Sequence, residues 1–230
     1  MTDQTPERDG PHNAMLEGHA GEVRDYWLER LIMLSDGVFA VAITLLAVEM
    51  HPPEHWDGSW MGLWAGLWQK LGAYFVTFCA VGAYWLSHRR TFVHIRRADP
   101  MLSILNLLAL GLVTLLPAGA ELIYTYGPRD NALILYMLMV ASIGIVQALV
   151  FGWAALIAGL VTPTIPMGLR IMTFLSMLLI PPTILVGIFF GLLSRNWPVL
   201  AVAVAGMFIL GRIRRQLAKH EPGRQARTAT

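Results

Sequence analysis

Residues 30–50 read RLIMLSDGVFAVAITLLAVEM, an apolar helix that opens with an arginine, a serine and an aspartate. About 20 apolar residues cross the hydrocarbon core of a bilayer as a helix. An ionisable side chain in or beside such a segment is costly and marks a functional or packing site. Asp36 therefore requires a partner or a water-filled surface.

The remainder of the chain supports the membrane reading. Of 230 residues, 56% are hydrophobic and 14% charged, and the mean hydropathy is +0.55. A soluble domain carries about 25% charged residues. Six apolar spans follow one another at about 28–50, 62–86, 101–126, 131–158, 168–192 and 194–212, too many for one soluble core to enclose. The expected fold class is an all-α integral membrane protein with six transmembrane helices. Residues 1–24 and 216–230 read as flexible cytoplasmic tails around a six-helix transmembrane domain at 25–215. Pro181 and Pro182 predict a kink in the fifth span.

Charge distribution orients the chain. With the N-terminus in the cytoplasm, the inner segments hold 14 Lys and Arg residues. The outer loops hold Arg129 and Arg195, and Lys70 lies inside the second span. The asymmetry places both termini inside. Trp56, Trp60, Trp64 and Trp68 crowd the outer end of the second span, as an interfacial aromatic belt does. The basic run RIRRQLAK at 212–219 is read as an anchor on anionic headgroups rather than a nucleic-acid site.

Enzyme classes find little support. There is no Walker loop, HExxH or GxSxG, and the single Cys79 excludes an internal disulfide and a cysteine-based metal cluster. Polar groups in the spans are few: Asp36, Glu49, Lys70, Asn106, Glu121 and Gln147. No cofactor and no metal site are expected. A coupled transporter needs an ionisable site near the midplane, and Asp36 lies near the inner end of its span. A passive pore needs none.

A specific resemblance now enters. Arg30-x-x-x-Leu34-Ser35-Asp36 resembles the Arg-x-x-x-Phe-Ser-Asp signature of the transmembrane protein 175 family of potassium channels, with Leu34 in place of the phenylalanine. Trp85-x-x-His88 resembles the end of the family's second helix, and the segment from Asn106 to Pro117 its third. The resemblance implies a homotetramer in the lipid bilayer whose first helix lines a central pore. It implies a potassium-selective, leak-like channel with a hydrophobic constriction instead of a carbonyl filter. Offset from Asp36, the constriction layers fall on Val41, Leu45 and Val48, with Thr44 as a supporting hydroxyl. Monovalent cations, potassium first, are then the permeant species.

Helical geometry bears on that assignment. Val41, Thr44, Leu45 and Val48 fall at i, i+3, i+4 and i+7 on one stripe, which Gly37 continues inward. Asp36 lies about 140° from Val41 on the wheel, toward the protein. Ser35, Asp36, Trp85, His88 and Asn106 are expected to form a structural polar network; the family pattern adds Arg30 to it, whereas an extended helix puts Arg30 near the stripe. Blander alternatives stand beside these: a lipid-facing aliphatic stripe, a first-turn acid at Asp36, an interfacial His88, and an Asn106 bonded within its own helix. The functional alternative is a proton-coupled or small-solute transporter.

Overall fold

A computed structural model describes residues 11–51, 56–126 and 131–178. It consists of α1 (Pro11–Val48), α2 (Trp60–Phe92), α3 (Pro100–Val113), α4 (Leu116–Tyr126) and α5 (Asn131–Gly152). A π-helical turn (Trp153–Ile157) extends α5, and a shorter apolar helix, α6 (Met167–Leu178), follows. Among the described residues, three segments are long and apolar enough to cross a membrane: Tyr26–Val48, Pro100–Tyr126 and Asn131–Ile157. The sixth expected span, the end of the fifth and the Pro181–Pro182 kink lie outside the described residues.

Three boundaries differ from the sequence expectation. α1 begins at Pro11, so residues 11–24 carry helical backbone where a tail was expected. Proline suits a helix's first position, and Ala14, Met15, Leu16 and Glu17 are good helix formers behind it. α2 runs on to Phe92, past its expected end at 86. The third span is broken into α3 and α4 by a turn at Thr114 and Leu115. Pro117 is the cause: it has no N–H to donate, and its ring crowds the carbonyl of Val113 four residues back.

Caps set the other starts. Ser59 caps α2, its hydroxyl accepting from the Gly62 N–H, while Asp57 Oδ1 accepts from both the Ser59 amide and hydroxyl. Those two donors hold the Asp57 carboxyl below its usual range. Asp99 caps α3 through Oδ1, which accepts from Leu102 N–H, and Oδ2 accepts from Trp153 Nε1 at 2.9 Å. At the other end of α5, Gly159 has φ +60°, which lets Leu160 N–H turn back to Ala154 O. The loop then pairs with the α2–α3 connection at Ile95 and Val161. Arg170 closes it from α6, donating to the carbonyls of Ala155, Thr162 and Ile165.

Packing is layered along the bundle. One apolar cluster contains Leu31, Phe92, Leu102, Val150 and Phe151. A second contains Phe39, Val81, Leu110, Tyr136 and Ile143. Between them, each of four helices places a buried polar residue: Ser35 on α1, His88 on α2, Asn106 on α3 and Gln147 on α5. This polar layer positions α1.

Candidate functional site

α1 has two unlike faces. Leu31, Ser35, Phe39, Ala42 and Leu46 are buried against α2, α3 and α4, at the 3.6-residue spacing of a packed helix. The opposite arc is bare on the single chain. Val41 is 53% exposed, Leu45 38% and Val48 64%. A helix rises about 1.5 Å per residue, so these three layers span about 10 Å. Gly37, one turn inward, has open space around it. Thr44 is exposed beside the stripe, and its hydroxyl donates to Val41 O at 2.9 Å.

The buried face carries a directed chain of hydrogen bonds. The Ser35 hydroxyl gives its hydrogen to Leu31 O at 2.7 Å. Its oxygen is then free to accept from Asn106 Nδ2 at 2.9 Å. The Asn106 carbonyl oxygen lies 2.8 Å from His88 Nε2, which must be the donor because that oxygen has no hydrogen. His88 is further held by stacking on Phe92, with ring centroids 4.2 Å apart, and by the tilted ring of Phe39 at 5.6 Å. Ser35 and Asn106 are fully buried, so the partners that meet here are paired away from water.

Asp36 meets one of its expected partners, and Arg30 stays apart from the network. Asp36 is exposed on the single chain, on the flank of α1. It contacts neither His88 nor Asn106 by hydrogen bond; its Oδ1 accepts from Trp85 Nε1 at 2.8 Å. One helical residue beyond Ser35 is a rotation of about 100°, enough to carry the carboxylate off the buried face. Arg30 lies 11 residues before Val41, about 20° away on the wheel, so the unbroken α1 puts it on the stripe's side. Its Nη1 donates to Tyr26 OH at 2.8 Å, and its guanidinium sits 5.6 Å from that ring's centre. Arg30 therefore stands outside the chain linking Ser35, Asn106 and His88. A cavity of about 520 Å³ adjoins it, between α1 and the start of α3.

Sequence reasoning left two features unassigned. Gln147 completes the polar layer by donating to Tyr84 O at 3.2 Å, and its signal was a lone amide inside an apolar span. Lys70 donates to His51 O at 3.2 Å, past the outer end of α1. Among the described residues, no group of three or more His, Cys, Asp or Glu side chains is placed to hold a metal ion.

Known channel proteins are similar to this chain. Residues 30–117, from Arg30 through α3 into α4, match the family model described as the endosomal/lysosomal potassium channel TMEM175. A potassium channel of Streptomyces collinus is 35% identical over 105 residues, which cover 45% of this chain and 50% of that protein. The human endosomal/lysosomal proton channel TMEM175 is 29% identical over 142 residues, covering 60% of this chain and 28% of that one. The chain thus spans half or less of the length of these curated relatives. A crystal structure of a lysosomal potassium-selective channel TMEM175 homolog from Chamaesiphon minutus superposes with a TM-score of 0.63 at 25% identity. That match covers 82% of this chain and 98% of the other. With the Arg30-to-Asp36 signature inside the matched segment and a similar fold across nearly all of a solved homologue, the chain is similar to the TMEM175 family.

Proposed function

We propose that this chain is the subunit of a potassium-selective, leak-like cation channel, assembled as a homotetramer of six-helix subunits in a bacterial plasma membrane with both termini inside. The observation that carries the reading is the bare aliphatic stripe of α1, on the face opposite its packed side. The family is one of ion channels, and the solved homologue is a potassium-selective one. A single α1 encloses nothing, so a pore along this stripe requires closure by symmetry.

In that assembly Val41, Leu45 and Val48 form successive hydrophobic rings, and Thr44 supplies hydroxyls beside them. Such a constriction acts through dehydration and dewetting, which makes conduction slow. Potassium loses its hydration shell at lower cost than sodium, so preference for potassium follows without a carbonyl filter. The chain's own polar layer keeps α1 at a fixed rotation, so that the aliphatic face and not the Ser35 face meets the axis. Lipid covers the remaining apolar surface.

The test is ion flux from proteoliposomes holding the full chain, with potassium, sodium and proton gradients compared. Potassium flux above sodium flux is expected, from a particle of tetrameric mass in mild detergent. Vertebrate relatives bear the name of proton channels, so proton flux without potassium flux would replace the potassium reading. A dimeric particle with proton-coupled solute uptake would favour a transporter.

A further inference from the structure

α1 stops at Val48, the last residue of the bare stripe. The final carbonyls of a helix lack internal partners and the end carries partial negative charge. α1 has no basic residue in its own last turn. Its terminal backbone is satisfied from elsewhere. Glu49 N–H bonds Leu45 O at 3.1 Å and Met50 N–H bonds Ala47 O at 3.2 Å, which closes the last turn. Beyond it, Glu49 O accepts from His51 N–H at 3.0 Å and from Tyr124 OH of α4 at 3.1 Å. His51 O accepts from Lys70 Nζ of α2, and the same ammonium lies 5.4 Å from the centre of the Tyr124 ring.

Three elements thus meet at one point, with Lys70 in the middle. A lysine inside an apolar span is costly unless its stem lies along apolar surface and its head finds donors' counterparts. Here the head finds a carbonyl just beyond α1 and an aromatic face at once. We propose that Lys70 is the positioning residue of the outer mouth: with Tyr124, it clasps the turn that follows α1, at Glu49 and His51, and thereby fixes the outermost layer, Val48. This rests on the reading of α1 as the pore wall.

The test uses the full-length tetramer in proteoliposomes on a Cys79→Ser background, because Cys79 is an exposed thiol. Val48→Cys is added, and its modification rate by a membrane-impermeant thiosulfonate is measured with potassium and sodium flux. Lys70→Met should raise the rate by roughly two- to tenfold, the factor expected when one hydrogen bond no longer holds the turn. Preference for potassium over sodium should fall with it. Lys70→Arg, which keeps a cationic donor, should return both toward the Lys70 values. Tyr124→Phe keeps the ring and loses the bond to Glu49 O, so it should give a smaller rise. It also decides the matter if Lys70→Met yields no folded tetramer: an unchanged rate in Tyr124→Phe then overturns the clasp. So does an unchanged rate in Lys70→Met, or a rise that Lys70→Arg does not reverse. If the Lys70 protein passes no potassium, the pore reading fails, while the thiol rates still decide the clasp.

Discussion

The inner and outer halves of α1 are held in opposite ways. Inward, Ser35 and Asp36 reach α3 and α2 through side-chain hydrogen bonds. Outward, from Val41 to Val48, the only side-chain bond among the described residues is Thr44 to its own helix, and the other uncovered positions are aliphatic. The inner half is therefore specified within one subunit. The outer half leaves its bare face for lipid or for other copies of the chain. The difference teaches that rotation and lining are separate properties of this helix. Polar groups hold the inner half where partners are available, and bulky apolar groups are left uncovered where partners are absent, on the face proposed as the lining.

Breaking the outer half should have the largest effect on transport. Leu45→Asn replaces an aliphatic ring with one that water wets. Removing an apolar barrier of about 1.5–3 kcal/mol, the scale of one leucine's transfer, should raise potassium flux roughly ten- to hundredfold and relax selectivity. Flux assays that return unchanged values for Val41→Ala, Leu45→Asn and Val48→Ala alike would move the pore wall to another face.

Breaking the inner half should act on assembly instead. Asn106→Leu removes both bonds that join α1 to α2 through α3, and strands His88 and Ser35 in a buried layer. Each stranded group costs about 1–3 kcal/mol, so tetramer melting should fall by several degrees or the yield should collapse. Surviving channels should keep near-normal potassium-to-sodium reversal potentials. Normal melting with altered selectivity would put the polar layer in the ion path and erase the contrast between the halves.

Asp36 offers a finer cut. Asp36→Asn retains the Oδ1 that accepts from Trp85 and should cost little, since interhelical polar contacts in membranes average about 0.6 kcal/mol and reach about 1.7. Asp36→Ala leaves the indole N–H without that acceptor and should melt lower than Asp36→Asn. Melting curves in the reverse order would remove Trp85 as the partner that matters. A normally assembled Asp36→Asn protein with lost pH-dependent transport would give the carboxylate a transport role.

The smallest effect belongs to Thr44→Ala. The hydroxyl already gives its hydrogen to Val41 O, and its oxygen remains for a cation to meet. Its loss should reduce potassium preference slightly with flux nearly intact. A large drop in flux, measured on the same vesicles, would make Thr44 part of the barrier rather than a helper beside it.

Much of this organisation was legible before any coordinates. Apolar runs of membrane length define α1, the α3–α4 pair and α5, because hydropathy and helical period are local properties of the chain. The Arg30-to-Asp36 signature, with Trp85, His88 and Asn106 downstream, named most of the polar residues that meet, since an amide or imidazole in an apolar span must find a partner. The break before Pro117 was less legible. Proline is tolerated in a helix's first turn, so its position alone does not say whether a helix stops or restarts there.

The sequence by itself determined the class of protein, the stripe of Val41, Leu45 and Val48, and the small set of polar groups available for pairing. Only the tertiary structure decided who pairs with whom. Ser35 and Asn106 are 71 residues apart and Asp36 and Trp85 are 49 apart, so their meeting depends on how whole helices rotate and tilt against one another. That rotation assigned Asn106 to Ser35 and His88, sent Asp36 to Trp85 alone and brought Lys70 to the turn after α1. A shift of one residue along a helix turns a side chain by about 100°, and no local pattern specifies which neighbour waits on that side.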